Sequence, residues 1–159
     1  MKDFLPEEEL IEYVKPELKA RGFKKQNKWW SKDIGDFTLY FYIQGSCYSK
    51  ENYYIRPCIS INAIPTTPFY RGHFHTQIDI TTPEEILSKF ESWCDEWTNK
   101  SLIKERLIKF IEWEKRNPLE KRRAGLVDYD VDPVPAREFF ELSVCRSNPS
   151  PQQYILDNF

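Results

Sequence analysis

The chain has 159 residues, of which 40% are apolar and 30% charged, with 23 Lys+Arg against 25 Asp+Glu and a formal net charge of −2. These figures suit one globular domain over residues 1–159 and exclude wholesale disorder. They lack the basic excess of a dedicated nucleic-acid binder, and no run nears the roughly 18 apolar residues of a membrane span, so no nucleic-acid or membrane partner is expected.

The opening MKDFLPEEEL sets glutamates where a signal peptide needs an apolar stretch, which points to a cytoplasmic protein. Aromatic residues reach 16% and glycines number only 5. Few glycines leave little material for phosphate-cradling loops, whereas many tyrosines imply an aromatic core or an adhesive surface.

Pro6 before Glu7, Glu8 and Glu9 predicts the first turn of a helix, because proline there lacks only an orphan N–H and acids favour the positive dipole end. Leu10, Ile11, Val14 and Leu18 continue it as one apolar stripe, which Pro16 is expected to kink or divide and Gly22 to end. Lys28–Ile34, the Gly35-Asp36 turn, Phe37–Ser46 and Tyr53–Ile64 then read as an antiparallel meander. His73–Ile80 is a possible fourth strand, and Pro57, unable to donate to a ladder, predicts a bulge or strand break.

Thr82-Pro83-Glu84-Glu85 is a capping-box pattern, with Ile86, Leu87, Phe90, Trp93, Cys94 and Trp97 as the stripe behind it. A further helix is predicted from about Ser101 to Arg116, closed by Asn117-Pro118. Leu119–Pro135 reads as polar and irregular, Ala136–Cys145 as a short helix, and Ser150–Phe159 as a last helical turn or two. The fold class is α+β: an N-terminal helix, a three- or four-stranded antiparallel meander, and C-terminal helices packed on one sheet face.

Leu18-Lys19, Gly22-Phe23-Lys24-Lys25, Trp29-Trp30 with Lys32, and Asp36-Phe37 leading to Ile43-Gln44-Gly45-Ser46 together resemble a bacterial family, domain of unknown function 4304. The resemblance covers about residues 6–115. It implies a helix, a GFK turn and a meander, with no established enzymatic activity. It further implies an immunity protein as one role, since some members look like proteins that neutralise a cognate toxin by direct binding.

Strand alternation divides the meander into two faces. Phe37, Leu39, Phe41, Ile43, Ile55, Ile59, Ile61, Ala63, Phe74, Thr76, Ile78 and Ile80 form the expected core face. The other face carries Tyr40, Tyr42, Gln44, Arg56, Asn62, His75, Gln77 and Asp79, the candidate binding residues. Tyrosine, arginine and histidine supply contact area and polar handles at little entropic cost, which suits an interaction surface; the alternative is a half-buried face covered by the C-terminal segment.

His73 and His75, alternate on a strand, would share a face as two metal ligands. Asp79 lies about 13 Å farther along at roughly 3.3 Å per residue, so no third ligand is dictated and no metal is expected. Asp128-x-Asp130-x-Asp132 opens like a calcium loop, but Pro133 and Phe139 stand where such a loop needs glycine and glutamate, leaving a solvated acidic loop able to meet a basic partner.

Lys121-Arg122-Arg123 sits among acids and makes no clear nucleic-acid patch. Cys47, Cys58, Cys94 and Cys145 match no zinc spacing and read as buried, reduced thiols. No nucleophile motif, Walker loop or dinucleotide glycine pattern occurs, so no catalytic residue and no cofactor is expected.

The reading is a non-enzymatic protein-binding domain that occludes a toxin. The alternatives are a small-ligand-binding or hydrolase-like domain with its pocket on the polar sheet face, and a subunit whose exposed aromatics are buried in a homodimer.

Overall fold

A computed structural model describes residues 4–45, 52–64, 72–140 and 150–159. Two compact units divide the chain, one ending at Glu96 and the other beginning at Trp97. The protein is α+β, with an N-terminal helix, an antiparallel sheet and C-terminal helices.

In the first unit, α1 (Glu7–Ala20) buries Leu10, Val14 and Leu18 and runs undivided through Pro16. The expected break does not occur. A proline costs about 3 kcal/mol inside a helix, but the buried side chains before and after it belong to one apolar stripe that holds both halves in line. Gly22, at φ +88°, then ends the helix. Gly22 N–H bonds Lys19 O at 3.0 Å and Phe23 N–H bonds Leu18 O at 3.0 Å, the paired bonds of a Schellman cap.

Among the described residues the sheet has six strands where three or four were expected: β1 (Lys24–Gln26), β2 (Trp29–Asp33), β3 (Phe37–Gly45), β4 (Tyr53–Ile55), β5 (Cys58–Ile61) and β6 (Phe74–His75). Their order is β1-β2-β3-β5-β6, with β4 also on β3. All pairings are antiparallel. The edge strand β1 went unread because Lys24, Lys25 and Gln26 are all exposed and carry no alternation.

Pro57 divides the third predicted strand into β4 and β5 without a bulge. Ile43 faces Ile55 and Tyr40 faces Cys58 in one continuous register, so no side chain changes face. Arg56 N–H still reaches Tyr42 O at 2.8 Å, and the Pro57 carbonyl accepts the Thr76 N–H at 3.2 Å on the other side. The fourth predicted strand shrinks to β6, but its register reappears in the Ile55–Ile78 bridge.

Burial along β3 alternates as expected, with Phe37, Leu39, Phe41 and Ile43 inside. Ala63 is exposed instead, in a turn closed by Ile64 N–H on Ile61 O, and Ile64 takes the core position. Thr76 and Ile80, also expected inside, are half-buried.

The helix α2 (Pro83–Trp97) starts at Thr82, whose Oγ1 accepts the Glu85 N–H at 3.3 Å. Its Phe90 meets Phe41 of the sheet edge-on at 5.0 Å and Phe23 at 5.8 Å, so α2 covers the apolar sheet face. Arg21 at the end of α1 bonds Glu91 of α2 and Glu17 of its own helix.

The second unit contains α3 (Lys100–Arg116), α4 (Leu119–Arg123), a 3-10 turn (Arg137–Phe140) and α5 (Pro151–Asn158). Ile103, Leu107, Phe110 and Trp113 are the buried face of α3. Phe139 packs on Phe110 and Trp97 at 5.9 and 5.6 Å.

The short α4 falls where an irregular segment was expected, because Asn117-Pro118 both closes one helix and opens the next. Of the helix predicted over Ala136–Cys145, only the 3-10 turn is seen; residues 141–149 lie outside the described part. No described helix is long and apolar enough to cross a membrane.

Candidate functional site

The registers of β1 to β6 set the side chains of the sheet face away from α2 in rows, in which Cys58 is itself buried. One row runs Lys24, Ser31, Tyr40, Cys58, His75. The next runs Gln26, Trp29 and Tyr42, then Arg56, whose N–H bonds Tyr42 O at 2.8 Å. Between the Cys58–His75 pair and the Ile55–Ile78 bridge, the same register puts Gln77 beside Arg56. Gln44 faces Tyr54, and one further step sets Asp79 opposite Tyr54.

The topology therefore brings Tyr40, Tyr42, Gln44, Arg56, His75, Gln77 and Asp79 onto one face. Tyr40, Tyr42, Gln44 and His75 are half-buried, while Arg56, Gln77 and Asp79 are exposed. Burial raises the Tyr40 hydroxyl pKa, with Cys58 and Asp33 adding to the effect.

Arg56 is held by two neighbours on this face. Its guanidinium lies 5.0 Å from the Tyr54 ring centre, and Nη1 donates to Gln44 Oε1 at 2.8 Å. A guanidinium stacked and hydrogen-bonded in this way keeps its remaining donors in a fixed fork. Beside it Trp29 and Tyr42 meet edge-on at 6.2 Å.

Trp29 and Tyr54 were not among the candidate residues. Alternation within Trp29-Trp30 shows that one ring faces each way; burial of Trp30 to 1% exposure identifies Trp29 as the outward one.

Asn62 is on this face but occupied. Its Nδ2 donates to Gly35 O at 2.7 Å and Asp33 Oδ1 at 3.1 Å, and its Oδ1 accepts from Thr38 at 2.6 Å. Its side chain clips the β2–β3 turn, in which Gly35 adopts φ +102°.

The two histidines differ. His75 is half-buried beside Cys58, whereas His73 is 2% exposed and its Nδ1 accepts the Ile61 N–H at 2.8 Å. Burial lowers the His73 pKa to about 4. They are not a pair of surface ligands, because His73 is built into the sheet. Among the described residues no three His, Cys, Asp or Glu side chains gather as a metal site.

Cys58 and Cys94 are buried free thiols, and burial pushes the Cys58 pKa up to about 12 and raises that of Cys94. Cys47 and Cys145 lie outside the described residues.

In the second unit, the acidic loop is tied down at its third carboxylate. Asp132 accepts from Arg116 at 3.0 and 3.2 Å and from Asn117 at 2.6 Å, and its carbonyl accepts the Trp113 indole N–H at 2.9 Å. Arg116 first, then Asn117, holds the Asp132 pKa below the ordinary carboxylate value. Arg122 of the basic triplet lies 5.6 Å from the Trp113 ring centre and is largely buried, so the triplet is not one solvated patch.

These features define an α+β domain whose sheet carries helix on one face and a polar, aromatic surface on the other. A family model, domain of unknown function DUF4304, matches residues 14–109, and the chain belongs to that family. Neither the curated proteins nor the solved structures contain a match to it.

Proposed function

We propose that the polar sheet face of the first unit is a protein-docking surface, and that the chain acts by occluding its partner without chemistry of its own. The observation that carries this reading is the alignment of Trp29, Tyr40, Tyr42 and Tyr54 around an Arg56 already held by Tyr54 and Gln44. Stiff aromatics and a pre-oriented guanidinium lose little entropy on binding, and such residues dominate interface energetics. The concrete version is an immunity protein, with a toxin as the occluded partner.

The test begins with capture of the partner by the tagged full-length chain, followed by calorimetry on the purified pair. Tyr42→Ala with Arg56→Ala should weaken binding at least 100-fold while leaving thermal unfolding in place. Co-expression should rescue cells from a partner that is toxic alone. Unchanged affinity in the double variant would remove this face from the interface, and a harmless partner would remove the immunity role.

A further inference from the structure

The second unit holds an open groove of about 450 Å3 between α3 and α5, within the range of small-molecule sites. Ile111 and Leu156 supply its apolar walls, and Glu114, Lys115, Ser150 and Gln152 its polar lining.

The charge of Glu114 is answered from within the unit. Arg122 Nη2 lies 3.6 Å from its carboxylate. Burial raises the Glu114 pKa, while Arg122 and the nearby Gln152 favour the charged form. What remains is an excess of donors. Lys115 is exposed and has no ion-pair partner among the described residues.

Among the described residues the buried Gln152 Nε2 stands close enough to the Glu114 carboxylate to favour its charged form, but meets no acceptor in full bonding geometry. Ser150 Oγ accepts the Gln153 N–H at 3.2 Å, so its own proton is available to donate. A buried donor without a well-aligned acceptor gains a hydrogen bond from an incoming one.

We propose that this groove binds a small aliphatic carboxylate, with the anionic end on Lys115, Gln152 and Ser150 and the chain between Ile111 and Leu156. A cationic ligand would leave these donors unmatched and meet Lys115. A neutral one would forgo the charge-assisted bond to the ammonium.

The probe is hexanoate, titrated into the isotope-labelled full-length protein and followed by amide and side-chain resonances, with hexanol and hexylammonium as comparisons. Hexanoate should bind saturably, shift the Gln152 side-chain amide, and bind at least tenfold more tightly than either comparison. Lys115→Glu should weaken hexanoate at least tenfold and leave hexanol unchanged. This substitution is on an exposed position, and its amide spectrum reports whether the fold persists.

Gln152→Glu, which removes donors while keeping the shape, should also weaken hexanoate. Equal binding of hexanol, tighter binding of hexylammonium, shifts confined to residues away from α3 and α5, or no saturable shift would each overturn the proposal. The outcome is independent of whether the sheet face of the first unit docks a protein.

Discussion

His73 accepts the main-chain N–H of Ile61 on its Nδ1 at 2.8 Å, so an imidazole stands where a sheet would otherwise offer a carbonyl. A ring that accepts there is neutral and carries its proton on Nε2, which is buried with no hydrogen-bond partner among the described residues. Protonation of Nδ1 would turn that acceptor into a second donor facing the Ile61 N–H.

Burial lowers the His73 pKa from 6.5 to about 4, so the unfolded chain binds the proton first as pH falls. The stability from the neutral ring is complete above about pH 6.5 and is lost as pH falls toward 4, amounting to about 3 kcal/mol. Urea unfolding of wild type between pH 7.5 and 4 should show this slope. His73→Asn, which keeps an acceptor but does not titrate, should flatten it; equal slopes would show that other groups govern the acid limb.

Gly72 has φ +60°, and a Cβ there would sit 2.7 Å from Ile59 O. Gly125, at φ +69°, has nothing within 4 Å of its Cβ position. Gly125→Ala should therefore cost only the left-handed backbone term, about 1 kcal/mol, while Gly72→Ala must also displace a strand carbonyl and should cost at least about 2 kcal/mol more. Denaturant midpoints of the two variants decide the point, and similar losses would contradict it.

Asn117 is 2% exposed and donates to both Trp113 O and Asp132. Asn117→Ala should destabilise the second unit by about 1–3 kcal/mol through the acceptors it leaves unmet. Because the Asp132 pKa is depressed by Arg116 and Asn117, its bonds should persist at neutral pH and fail only in acid, as the carboxyl takes its proton. The Trp113 indole N–H resonance reads both effects, since that proton lies on Asp132 O. An indole signal unmoved by the substitution would show that Asp132 does not depend on Asn117.

Arg56 is exposed, so Arg56→Lys should change stability by less than about 0.5 kcal/mol. It should nevertheless weaken partner binding roughly tenfold, because an ammonium cannot reproduce the planar fork over Tyr54. Comparing unfolding midpoints with calorimetric affinities separates the two effects, and full affinity with lysine would reduce Arg56 to a point charge.

Much of this architecture could be read from local pattern. The strict alternation of Phe37 to Gln44 identified both faces of β3, and Thr82-Pro83-Glu84-Glu85 located the start of α2. Those signals depend only on a residue and its near neighbours. Ala63 and Pro16 went the other way: the strand ended before alternation could place Ala63 inside, and the buried stripe of α1 outweighed a local helix breaker.

The candidate face was legible in part. Parity placed Tyr40, Tyr42 and Gln44 together on β3, but the choice of Trp29 over Trp30 required burial, and the role of Asn62 required knowing that Asp33 and Gly35 lie beside it. His73 is the clearest failure of parity, since its ring turned to a backbone donor on the neighbouring strand.

By itself, then, the sequence determined the α+β class, the starts of α1 and α2 and the two faces of β3, because capping and alternation are properties of neighbouring residues. Tertiary structure decided the continuous register through Pro57, the seat of His73, the fixing of Arg56 and the α3–α5 groove. Each depends on atoms from segments distant in the chain, and no local periodicity records how those segments meet.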